Sequence, residues 1–75
     1  MNKTEQIAIL YKELETCLKE LNQNRNILKE HKNTLKECKN DLEREMIENC
    51  MEYFRLNVER MKTRINEIEE EINSK

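Results

Sequence analysis

The chain has 75 residues, 36% hydrophobic and 40% charged, with one Phe, two Tyr and no Trp, too few and too polar for a closed globular core. Its formal charge of −2 gives no overall pull toward nucleic acid or an anionic membrane, and no apolar run approaches the ~20 residues of a bilayer span. Gly and Pro are both absent, and this density of charge with regular Leu and Ile is the composition of a coiled coil or long helix, not of a disordered tract.

The start, Met1 to Gln6, has no long apolar stretch behind it, so no secretory signal is expected. Three cysteines are an odd number and do not make a disulfide framework. Together these place the chain in a reducing, intracellular, cytoplasmic setting. Abundant Asn, Ile and Lys suggest an AT-rich coding genome, such as that of a low-GC bacterium, a protist or a large DNA virus.

From residue 7 the pattern is heptad. Ile7, Leu14, Leu21, Leu28, Leu35 and Leu42 occupy one column, taken as position a, and Leu10, Cys17, Asn24, His31, Cys38 and Glu45 occupy d. A helix carrying such a seam cannot leave it in water and must meet another helical surface. Tyr11 and Leu18 widen this face at e, as in a bundle helix with two neighbours.

The middle is thinner. Asn24 and His31 read as polar layers that set alignment at some cost in stability. In a parallel dimer His31 would face its own copy, and acid would loosen the centre. Two stretches offer a turn: residues 22–26, with three Asn in five positions, and residues 31–34, followed by a capping box in Thr34-Leu35-Lys36-Glu37. Arg25, Lys29, Lys32, Lys36 and Lys39 step by three and four along one face, a basic stripe opposed locally only by Glu30 and Glu37. The stripe reads as a solvated flank, as a match for acidic positions such as Glu45, Glu48, Glu52 and Glu59, or as an anion contact for nucleic acid.

A second phase follows, with Met51, Val58, Ile65 and Ile72 in one column and Ile47, Phe54, Met61 and Ile68 in the other. Leu42 and Met51 are two residues further apart than a heptad, which rotates the seam by roughly 200°. The expected organisation is therefore one module over 1–75, with a first phase at 7–42, a second at 47–72 and a break near 43–50. Two all-α architectures satisfy it: a long heptad-repeat helix, or a two-helix antiparallel hairpin assembling as a coiled coil or helical bundle. A hairpin folding near 31–34 would bring 7–21 against 47–61, whereas Leu28, Leu35 and Leu42 carry the seam straight through that point.

No constellation for catalysis is visible. One His and one Asp, no Gly for a phosphate cradle and glutamates on solvated helix faces do not build an active site. Cys17, His31, Cys38 and Cys50 are too widely spaced for a metal site, and Met46, Met51 and Met61 read as core fillers. No cofactor, metal, small-molecule substrate or membrane is expected. The expected role is non-enzymatic and structural: self-association, or docking onto a partner helix, as in a small scaffold or virion component. The expected seam is Ile7, Leu10, Leu14, Leu18, Leu21, Leu28, Leu35, Leu42, Ile47, Met51, Phe54, Val58, Met61, Ile65, Ile68 and Ile72. The alternative is a small nucleic-acid-associated protein using Arg25 to Lys39.

Overall fold

The computed structural model describes residues 2–75. They form two helices, α1 (Lys3–Glu37) and α2 (Asp41–Asn73), packed along each other as an antiparallel hairpin 57 Å long and 16 by 14 Å across. A 35-residue helix at ~1.5 Å per residue accounts for nearly all of that length.

Both helices start the same way. Asn2 caps α1, its Oδ1 accepting the Glu5 amide at 2.8 Å. Asn40 caps α2, accepting from the amides of Leu42 at 2.8 Å and Glu43 at 3.4 Å. Each cap satisfies amides that have no partner within the helix, and each is followed by an acid in the first turn, where the helix dipole favours negative charge.

The turn is made by residues 38–40, not by 22–26 or 31–34. Cys38 leaves the helix at φ −76°, ψ 126°, its amide donating to the Leu35 carbonyl at 3.2 Å, and Asn40 sits at φ −102°, ψ 126°. No described residue has positive φ, so the chain reverses through extended residues and needs no glycine. Arg44 ties the turn down, donating from Nη2 to the Cys38 carbonyl at 3.0 Å. The Asn-rich stretch is helical throughout, and within it Asn24 sends its Nδ2 back to the Glu20 carbonyl at 2.7 Å. Thr34 likewise bonds the Glu30 carbonyl at 3.1 Å and caps nothing.

The turn also relocates the break. Residues 43–50 are helical, and the two-residue phase shift falls in the loop just before them. Leu42 therefore belongs to the phase of α2, where it points outward and is 66% exposed. In α1 every a and d residue from Ile7 to Leu35 is buried or half-buried, as is Cys38 at its C-cap, and in α2 so is every one from Ile47 to Ile72. The two seams close on each other. Leu10, Cys17, Leu21, Val58, Ile65 and Ile68 form the buried cluster, with Leu14, Leu28, Met61 and Ile72 packed against it. That cluster lies toward the free ends. Met51, 2% exposed, is buried apart from it, in the half nearer the turn.

Candidate functional site

The expected seam is an intramolecular surface here. Of its residues, Leu18 and Leu42 fall outside it, both exposed. Tyr11, next to the seam at e, is exposed too, so α1 has no second buried edge.

The polar layers Asn24 and His31 are half-buried, and their hydrogen bonds run back to their own helix. His31 Nδ1 lies 2.8 Å from the Ile27 carbonyl, which can only accept, so that nitrogen carries the proton. Its ring meets Phe54 of α2 at a centroid distance of 5.7 Å and a tilt of 56°, and Phe54 in turn meets Tyr53 edge-on at 5.3 Å. In this antiparallel pairing His31 faces an aromatic ring instead of a second imidazole. The cross-helix polar tie is made elsewhere. Arg64 donates from Nε and Nη2 to Glu13 Oε1 at 2.8 and 2.5 Å, and from Nη1 to Glu67 Oε2 at 3.2 Å. Glu13 and Glu67 hold the guanidinium protonated, raising its pKa above the ordinary value. Lys75 Nζ reaches Gln6 Oε1 at 2.9 Å near the free ends. The sequence carried a signal for the Glu13–Arg64 pair, since both precede an a residue, at g, and g faces g across an antiparallel coil.

The three thiols sit in three environments. Cys17 is buried, Cys38 is half-buried at the turn and Cys50 is exposed. Burial pushes the Cys17 thiol up, and the neighbouring charges of Glu13 and Glu20 add to it. Among the described residues no three His, Cys, Asp or Glu side chains converge as a metal site. No helix of the structure is long and apolar enough to cross a membrane.

Besides the exposed Ile9, Tyr11 and Leu18 of α1, two outward features remain. Arg25, Lys29, Lys32 and Lys36 are exposed along α1, whereas Lys39, the last residue of the expected stripe, lies in the turn beyond the helix; none of the five makes an ion pair among the described residues. Lys32 and Lys36 share a shallow open groove with Leu35 and Arg44 beside the turn. On α2, Leu42, Met46, Tyr53 and Leu56 lie 49–66% exposed. Their spacing of four, seven and three places them on one stripe, opposite the buried seam. The breadth of the apolar region over 47–58 is thus resolved: Ile47, Met51, Phe54 and Val58 turn inward, Tyr53 and Leu56 outward.

No protein-family model matches this chain, and comparison with curated proteins and with solved structures yields no match.

Proposed function

We propose that this chain is a non-enzymatic assembly module: a helical hairpin that closes its own seam and docks a partner helix on the outer stripe of α2. The observation that carries the reading is the division of apolar residues. The heptad seam is consumed within the chain, while Leu42, Met46, Tyr53 and Leu56 form a second row in water. Scattered exposed apolar residues are ordinary, but an aligned row including an aromatic marks an interaction surface. A non-enzymatic role is supported by the glutamates, which lie, all but Glu13, on exposed helix faces.

The reading is tested by placing a photo-reactive side chain at Tyr53 and, separately, at Lys19 on the outside of α1, in cells that express the protein. Discrete adducts from position 53 and none from position 19 are expected. Equal, diffuse labelling from both removes the reading.

One observation favours a second reading, nucleic-acid association through the basic stripe: its five cations are exposed and free of ion pairs among the described residues. Binding to DNA or RNA that weakens with salt and vanishes when Lys29, Lys32 and Lys36 become Glu would establish it. Absence of binding at low salt ends it.

A further inference from the structure

The outer stripe of α2 has an edge of one charge. Glu45, Glu52 and Glu59 recur every seven residues, adjacent on the helix to the row of Leu42, Met46, Tyr53 and Leu56, and all three are exposed. Among the described residues, Glu52 and Glu59 are met only by exposed pairs within their own helix, with Arg55 at 3.5 Å and Lys62 at 3.4 Å. Such pairs are weak and readily exchanged for an incoming cation. Along the other edge lie Glu43, Cys50 and Asn57, of which only the first is charged.

We propose that this stripe takes a partner helix with an apolar face and with Lys or Arg along one edge, laid against Glu45, Glu52 and Glu59. The inference deepens the docking reading above and rests on it. Leu42 to Leu56 spans ~21 Å, about four helical turns, which sets the length of the partner segment. Cations seven residues apart on that segment would meet the three glutamates in step.

Surface area leaves room for such a partner. The hairpin exposes 5954 Å². A compact protein of 9.2 kDa exposes ~4,900 Å². The difference is comparable to the ~800 Å² that one side of a standard interface buries.

Charge argues against a second copy as the occupant. Two α2 stripes laid antiparallel about their common centre bring Glu45 of one copy beside Glu52 of the other, twice over, against the single cation, Arg55, that each Glu52 meets on its own helix. The cations of the basic stripe, Arg25 to Lys39, sit beside a seam that is already closed, so they offer no accompanying apolar face.

The test uses the full chain and two synthetic helical peptides of about four turns. Both carry leucines at three- and four-residue spacing; one has lysines along one edge and the other has glutamates. The lysine-edged peptide should bind with a 1:1 stoichiometry, and Tyr53→Ser with Leu56→Ser should weaken it more than about tenfold while circular dichroism stays unchanged. The triple change Glu45→Lys, Glu52→Lys, Glu59→Lys should invert the preference toward the glutamate-edged peptide. Equal, Tyr53-dependent binding of both peptides overturns the charged-edge inference and leaves the docking reading standing. Binding of neither overturns both. Concentration-dependent dimerisation of the chain alone, abolished by Tyr53→Ser with Leu56→Ser, would make a second copy the occupant and overturn the inference.

Discussion

Cys17 shows how one residue reports the closure of the hairpin. It occupies a d position among Leu10, Leu14, Leu21 and the α2 seam, is 8% exposed, and acts as a small apolar side chain. Its thiol is raised from 9.0, mainly by burial. The thiolate is the reactive form, so the structure orders the three cysteines. With a maleimide at neutral pH, Cys50 should label first and Cys17 only on opening of the hairpin, a sequence that mass spectrometry of timed digests will read. Stability carries the same signature. Below about pH 9 both the folded and unfolded chains keep the proton, and the contribution of Cys17 is fully present. Above that, the unfolded chain ionises first, and stability falls as pH climbs toward the raised value. A Cys17→Val variant should lose this alkaline slope in urea titrations. Labelling of Cys17 as fast as Cys50 would mean that the seam does not close on itself.

At the level of the helix, the legible part was the period. The columns of Ile7 and Leu10 in α1, and of Ile47 and Met51 in α2, are the inward rows, because a 3–4 spacing keeps side chains on one face whatever the partner is. The turn was obscured by local signals that tertiary packing overrode. Asn22, Asn24 and Asn26 lie in helix because seam residues on both sides, Leu21 and Leu28, hold the backbone in place. The true start of α2 did carry a mark: Asn40-Asp41-Leu42-Glu43 repeats the Asn-x-x-Glu of residues 2–5, the pattern of an N-terminal cap. Leu42 misled because its distance from Leu35 is one heptad by coincidence, across a loop that is not helical. The outer stripe on α2 was hidden inside a broad apolar face, since composition does not say which side of a helix its neighbour takes. Ile68, fully buried, and Leu42 discriminate these assignments. Ile68→Ala should cost about 2–5 kcal/mol in urea unfolding, from lost burial and the cavity left behind. Leu42→Ala should fall within ~0.5 kcal/mol of the parent. A large loss at Leu42 would return it to the seam.

The architecture of the whole molecule follows from the two surplus residues between its heptad phases. In a straight helix they would turn the α2 seam roughly 200° from that of α1, onto nearly the opposite side. A straight partner could then cover only one seam, and the uncovered one would recruit a further chain in an open-ended array. Reversing direction at 38–40 removes the conflict, since each helix can roll independently until the two seams meet. The Glu13–Arg64 tie and the His31–Phe54 contact then lie on the closed hairpin. Restoring phase should undo this choice. Deleting Lys39 and Asn40 puts Leu35, Arg44 and Met51 at seven-residue steps, and Cys38, Ile47 and Phe54 likewise, so one unbroken seam runs the length of the chain while the loop and the α2 cap are lost. Such a variant should be a continuous helix of about 105 Å, paired with a second chain. Sedimentation should give twice the chain mass, and small-angle scattering should show a maximum dimension near double the 57 Å of the hairpin. A variant that sediments as one chain with the hairpin's dimensions would show that the phase shift is not what makes this molecule fold back.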